Sequence, residues 1–164
     1  MRLSPERFGV KLPEIRDVAA EILHQGKIDY LDMSLWDYTI EPKDEAFKGR
    51  SLMSIFTELP RGEVRLGVAG KIRDTEDVVN VIEGGCDYAL IGRAAILRHD
   101  FPQRVRRDPA FRSPPLPVSP GHLLGEGLSP RFVEYLRSFP GFVSAEAPVV
   151  PHDEAMRMWM KTDG

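Results

Sequence analysis

The sequence has little of three things that would narrow its function directly: cysteine, long apolar runs and an excess of positive charge. Its single cysteine, Cys86, excludes an internal disulfide and a cysteine-rich metal site. No run approaches the roughly 18 apolar residues of a membrane span, and the first residues do not resemble a signal peptide. A net charge of −3 provides no positive field for a polyanion. We therefore expect a cytoplasmic protein that has neither nucleic acid nor a membrane as a partner.

The composition is that of a globular protein. Hydrophobic residues make up 42% of the chain and charged residues 29%, which provides both a core and a solvated surface. The 164 residues are enough for one ordinary domain, but fall short of the roughly 250 residues of a complete (β/α)8 barrel. A reactive cysteine would need an electropositive, exposed position, so Cys86 is expected to be a buried core residue.

Hydrophobic periodicity predicts alternating helices and strands in the first two thirds of the chain. A helix is predicted over 12–25, with Ile15, Val18, Ala19, Ile22 and Leu23 on its apolar face. Short strands are predicted at 28–34, 64–69 and 87–91. Between the first two strands we expect a loop over 35–50 and a short helix over 51–59. Between the second and third strands we expect a helix after Asp74, whose apolar face is Val78, Val81 and Ile82. Another helix follows the third strand over 94–98. Three strands separated by helices indicate parallel βα units.

The character of the chain changes after residue 108. Four prolines lie between residues 114 and 120, where they exclude a central strand, so this part is interpreted as a tail or linker. Ser129 and Pro130 predict a helix through Arg137, with the serine as its cap. A methionine-rich end around residues 156–160 is interpreted as either a docking helix or a disordered segment.

Two strand ends carry residues suited to binding phosphate. In parallel α/β proteins the ligand lies at the carboxyl ends of the strands, where this chain has Gly70-Lys71 and Gly92-Arg93. A glycine allows backbone N–H groups to approach an anion, and an arginine matches phosphate oxygens. In the alternative interpretation both glycines only form tight turns, and Arg93 is a solvated residue at a helix start. The Lys71 side chain is expected to point to solvent.

Four segments of the sequence form a series: Arg2-Leu3-Ser4-Pro5, Tyr30-Leu31-Asp32-Met33-Ser34, Val68-Ala69-Gly70 and the run from Gly84 to Arg93. In order and spacing this series resembles the Old Yellow Enzyme family of NADH:flavin oxidoreductases. The resemblance implies a partial (β/α)8 TIM barrel containing about strands 5–8. The barrel half would span 1–108, and a Pro-rich C-terminal extension with a helix near 129–137 would span 109–164. The stretch from Gly127 to Tyr135 is similar to the extension of some bacterial members.

The resemblance also implies a cofactor and the residues that bind it. FMN would be the cofactor, NADH or NADPH the electron donor, and an enone or related activated alkene the substrate. Arg2 matches the arginine placed against the flavin ring, where a cation stabilises the negative charge of the reduced ring. Ala69 and Gly70 match the strand end that gives backbone donors to the FMN phosphate, and Gly92 with Arg93 matches the second half of the phosphate clamp.

The resemblance assigns no catalytic residue and no metal ligand. The family's His or His/Asn pair and its tyrosine proton donor belong to the first half of the barrel. None of the four histidines matches a family position, and His24 and His99 are expected to have structural or solvent roles. The resemblance also implies that the fifth strand is cut, because the chain begins at the arginine that would end it. The activity of this chain alone is therefore expected to be incomplete.

Two other functions are compatible with the same residues. One is a non-catalytic half-barrel remnant or phosphate-binding module, which would act by self-association or with a complementary barrel half. We expect such a half barrel to expose strand edges and an apolar inner face unless a partner covers them. The other is a different phosphate-binding barrel, such as a dehydrogenase of nucleotide precursors. That protein would share the two glycine strand ends but not the opening Arg-Leu-Ser-Pro.

Overall fold

The fold is known from a computed structural model that describes residues 1–7 and 9–145. The chain divides into two compact units. The first comprises Met1–Arg93 and Pro102–Phe111, and the second comprises Ala94–Phe101 together with the described residues 112–145. The methionine-rich end lies outside the described residues. Within the described residues, no helix combines the length and the apolar character that a bilayer crossing requires.

A four-stranded parallel sheet forms the centre of the first unit. The strands are β1 (Arg2–Leu3), β2 (Tyr30–Ser34), β3 (Arg65–Ala69) and β4 (Tyr88–Leu90), and they lie in the order β1-β2-β3-β4. The predicted α/β class with parallel strands is therefore confirmed. Periodicity alone predicted three of the four strands. It missed β1, whose two residues are too few to show a pattern and which exists because Arg2 and Leu3 pair with Asp32 and Met33.

Helices connect these strands close to the predicted positions. They are α1 (Leu12–Gln25), α2 (Ser54–Thr57) and α3 (Thr75–Glu83), and a short 3-10 helix covers Glu45–Phe47 within the predicted loop. Asp74 caps α3 by accepting a hydrogen bond from the Asp77 amide at 3.0 Å. The prediction that Val18 and Ile82 lie on the packed faces of α1 and α3 is wrong. Their side chains are 45% and 44% exposed, so each helix buries a narrower stripe than its apolar residues cover.

The main core lies between these helices and one face of the sheet. Alternate strand residues point to this face, and Leu31, Met33, Leu66 and Val68 are fully buried there. The opposite face, called here the open face, was expected to be apolar, and that prediction is wrong. It carries, among others, Arg2, Tyr30, Asp32, Arg65 and Tyr88. The two-residue period of the strands places polar side chains on this face of every strand.

The second unit corrects the interpretation of the chain after residue 108 as a tail or linker. Here α6 (Pro120–Gly125) and α7 (Pro130–Arg137) help to form a separate apolar cluster. Its buried members are Leu97, Val118, Leu123, Val133, Leu136 and Phe142. Each helix has a proline in its first turn and a serine cap, so prolines that exclude a strand here begin helices. Two helices, α4 (Arg93–Leu97) and α5 (Phe101–Arg107), come earlier in the chain; α5 was not predicted.

Candidate functional site

The two glycine-bearing strand ends are neighbours in the structure. Strands β3 and β4 pair in parallel, with Ala69 opposite Leu90. Gly70 and Gly92 therefore follow the carboxyl ends of two adjacent strands, at the same end of the sheet. Arg93 follows as the first residue of α4. The structure therefore brings Ala69, Gly70, Gly92 and Arg93 together, and we call these four residues the strand-end cradle.

Gly70 is required by the protein's own packing. A Cβ atom at this position would lie 2.7 Å from the backbone nitrogen of Asp37 and 2.9 Å from the carbonyl carbon of Trp36. The loop after β2 approaches this closely because it is hydrogen-bonded to the end of β3. The Leu35 amide donates to the Ala69 carbonyl at 2.8 Å, and the Tyr38 amide donates to the Gly70 carbonyl at 3.3 Å. Tight packing accounts for this glycine without any ligand.

Gly92 has no comparable internal reason to be glycine. No atom lies within 4 Å of the position that its Cβ would occupy, and its backbone is not in the left-handed region that favours glycine. The residue is exposed at the surface of the described structure. A glycine with open space in front of it is suited to the close approach of a ligand to the backbone.

Hydrogen-bond donors at the cradle, and the backbone amide of Lys71 beside it, have no partner in the part of the chain that the structure describes. Among the described residues, the amides of Gly70, Lys71, Gly92 and Arg93 donate no hydrogen bond, and the exposed Arg93 guanidinium forms neither a hydrogen bond nor an ion pair. Free backbone N–H groups and a guanidinium are the donors that proteins use to hold phosphate. The cradle thus presents several hydrogen-bond donors without a described partner at the carboxyl end of the sheet.

Lys71 does not contribute a free charge to the cradle. Its ammonium group pairs with the Asp37 carboxylate at 2.7 Å, and its backbone has a φ of +52°, which is unusual for a residue other than glycine. Burial would raise the pKa of Asp37, but hydrogen bonds from Lys71 and Thr39 outweigh burial and lower it. The Asp37 charge beside Gly70 is therefore balanced by Lys71. The sequence reasoning did not identify Asp37, because a polar loop residue gives no indication of its partner.

Arg2 lies on the open face and is held by an acidic residue of β2. Its Nε donates to Oδ2 of Asp32 at 2.5 Å, and the two residues are register partners on adjacent strands. Asp32 is 5% exposed, and its other oxygen, Oδ1, is buried without a hydrogen-bond partner among the described residues. In the sequence Asp32 is one residue of the predicted strand 28–34, in which apolar and polar residues alternate. An alternating pattern places a polar residue on one face but does not show that the residue is buried.

The described histidines are exposed or contact the backbone, and the cysteine is buried. His24 and His99 are exposed, the Nε2 atom of His122 lies 2.9 Å from the Leu97 carbonyl oxygen, and His152 lies outside the described residues. Cys86 is buried, as predicted, and burial raises the pKa of its thiol to about 11, which makes it unreactive at neutral pH.

One group of side chains in the second unit has the composition of a metal site. Ligand atoms of His99, Asp100 and Glu126 lie within 4.8 Å of one another. Glu126, however, already binds the Arg98 guanidinium, and its Oε2 accepts from the His99 amide at 3.0 Å and lies 2.7 Å from Nδ1 of the same residue. A carboxylate held by a guanidinium is a poor cation ligand, so we interpret this group as an ion-pair clamp.

No family model matches the chain, and no curated protein matches it.

Proposed function

We propose that this chain is an FMN-binding oxidoreductase of the NADH:flavin oxidoreductase type, in which the sheet corresponds to about strands 5–8 of a (β/α)8 barrel. The single observation that carries the proposal is the set of unpartnered donors on the adjacent ends of β3 and β4, next to the open space at Gly92. When bound, FMN would supply the hydride-transfer chemistry between NADH or NADPH and an activated alkene.

The position of Arg2 supports a long ligand over a small anion. By register Arg2 is level with Gly67, which precedes Gly70 by three residues. Strand geometry then separates Arg2 from the cradle by about 10 Å along the strands and about 10 Å across two strand spacings. Inorganic phosphate cannot reach both groups. A ligand with a phosphate at one end and a ring at the other is suited to both.

The residues divide into two binding roles under this proposal. The amides at Gly70 and Gly92 and the Arg93 guanidinium would hold the phosphate, while Arg2 would lie against the ring. Among the described residues, no histidine lies on the strands or in the loops at their carboxyl ends. The groups that hold the substrate and donate a proton are accordingly not assigned to this chain, and its activity alone is proposed to be incomplete.

Substitution of Arg93 tests the phosphate role. We expect R93A to weaken FMN binding about 10- to 100-fold, because a charge-assisted hydrogen bond contributes about 1.5–3 kcal/mol. Riboflavin lacks the phosphate, so its affinity should not change. Both are measured by flavin fluorescence titration. The control is R106A, which removes an exposed arginine from α5. The proposal is wrong if the wild-type chain does not bind FMN, or if R93A affects FMN and riboflavin equally.

A second function, a non-catalytic phosphate-binding half barrel, is favoured by a different observation. Among the described residues, the outer edges of β1 and β4 have no neighbouring strand. A chain of this kind would bind a phosphorylated ligand but would not oxidise NADH in the presence of FMN and an enone. Melting temperatures measured with FMN and with nucleotide monophosphates separate a flavin site from the site of a nucleotide-precursor dehydrogenase, because the preferred ligand stabilises the fold most.

A further inference from the structure

Asp32 is a buried acid on the open face of the sheet, and its contacts point to one task. Of its two carboxylate oxygens, Oδ2 accepts the hydrogen bond from Nε of Arg2, and Oδ1 has no partner among the described residues. A buried carboxylate is ordinarily surrounded by donors. Here the only described ion pair of Asp32 is with Arg2.

The pair is asymmetric in exposure. The Asp32 side chain is 7% exposed and the Arg2 side chain is 59% exposed. The acid is thus fixed within the sheet, whereas most of the arginine faces outward. Because the carboxylate binds Nε, the two terminal nitrogens of the guanidinium remain available for another contact. An exposed arginine without such an anchor would sample many rotamers.

We propose that Asp32 is a positioning residue that holds the Arg2 guanidinium at the open face for contact with the flavin ring. This inference rests on the proposed function, because it assumes that a flavin occupies the open face. Asp32 itself would not touch the ligand, since its free oxygen is buried. Its effect on the flavin would pass through Arg2.

The test is a double-mutant cycle on FMN affinity in the full chain. We expect D32N and R2A each to weaken FMN binding about 10-fold, and the double variant to bind no more weakly than R2A alone. The matched control is D29N, which removes an exposed acid three residues earlier and should leave affinity unchanged. R2K retains the positive charge but loses the planar fork, so we expect it to bind about as weakly as R2A.

The midpoint potential of bound FMN gives a second readout with an informative sign. A correctly placed guanidinium favours the more negative, reduced flavin, so its misplacement in D32N should lower the potential, as in R2A. If Asp32 acted only as a negative charge near the flavin, its removal would raise the potential instead. A rise, or additive losses of affinity in the double variant, would overturn the positioning role.

The outcomes also separate this inference from the proposed function. Absence of FMN binding by the wild-type chain would overturn both. FMN binding that requires Arg93 but is unchanged in D32N and R2K would overturn the positioning role and the contact of Arg2 with the ring, and would leave phosphate binding at the strand-end cradle intact. If D32N does not fold, as shown by circular dichroism, R2K decides the question, because it alters only the exposed member of the pair. Wild-type affinity in R2K would then overturn the inference.

Discussion

At the scale of single residues, the two glycines of the strand-end cradle are present for different reasons. Gly70 is enclosed by the loop after β2, whereas Gly92 faces open space. We therefore predict that alanine substitution affects the stability of the fold at Gly70 and the binding of FMN at Gly92. G70A should destabilise the fold by roughly 1–3 kcal/mol, because its Cβ would collide with backbone that cannot move freely. G92A should change the free energy of unfolding by less than about 0.5 kcal/mol but weaken FMN binding.

Urea unfolding and FMN titration of the two variants measure these effects. A stable G70A would show that the Trp36–Asp37 backbone moves aside without cost. A G92A that binds FMN as tightly as the wild type would show that the open space at Gly92 is not used by the ligand, and that this glycine, too, only forms a turn. Gly67 is not a useful control, because its Cβ would collide with the Tyr88 ring.

Residues whose roles are local could be predicted from the sequence. The helix cap at Asp74 depends on the three residues that follow it, and burial is typical of a cysteine that forms no disulfide. Asp32 and Asp37 could not be assigned roles, since their partners Arg2 and Lys71 lie about 30 residues away in the chain in both cases. The glycines at 70 and 92 look alike in the sequence and differ only in what surrounds them.

At the scale of elements, Glu126 links the end of α6 to Arg98 and His99, which directly follow α4. Burial alone would raise the pKa of Glu126, but hydrogen bonds from His99 and Arg98 outweigh it and lower the pKa from 4.5 to about 2. The ionised carboxylate therefore stabilises the folded form fully above about pH 4.5, and this stabilisation is lost as the pH falls towards 2. The contribution is on the order of 3 kcal/mol at most.

We predict that E126Q removes this part of the pH dependence. The free energy of unfolding of the wild type should fall between about pH 5 and pH 2, and the fall should be smaller in E126Q, because the amide has no proton to gain. The measurement is urea unfolding monitored by circular dichroism across this range. E134Q is the control, since Glu134 forms a partly exposed ion pair with Arg137 within one helix. Equal pH dependence of the free energy of unfolding in wild type and E126Q would contradict the stabilising role of the Glu126 carboxylate.

Most helices could be predicted because their signals are continuous along the chain. The prediction for α1 agrees with the structure at both ends, and α7 begins at Pro130 behind Ser129, as the Ser-Pro pair indicates. The signals of β1 and α6 are weaker. A strand of two residues has no period, and α6 lies within prolines that were interpreted as a linker. β1 forms by pairing with β2, and α6 packs in the apolar cluster of the second unit, and periodicity along the chain contains neither contact.

At the scale of the whole molecule, the sheet of the first unit has two unpaired edges and a polar open face. Unpaired strand edges promote association with another chain. The open face is not the apolar surface that the sequence led us to expect, but Tyr30 on it is 52% exposed and its ring contacts Tyr88 edge to face. Aromatic residues of this kind are enriched at protein interfaces. We therefore propose that the chain self-associates. The unpaired strand edges favour pairing with another chain, and the exposed Tyr30 provides an apolar contact on the open face.

We predict that the wild-type chain forms dimers or larger assemblies, and that Y30K shifts it towards the monomer. A lysine at this position introduces a charge that must be desolvated if the open face is buried, whereas a monomer leaves it in water. I82K is the matched control, because Ile82 is similarly exposed on α3 rather than on the open face. The measurement is light scattering coupled to size exclusion over a tenfold range of concentration. A wild-type chain that is monomeric throughout would contradict the prediction, and a shift of equal size in I82K would place the interface elsewhere. If the wild type is instead monomeric only with FMN bound, the flavin and the second copy compete for the same face.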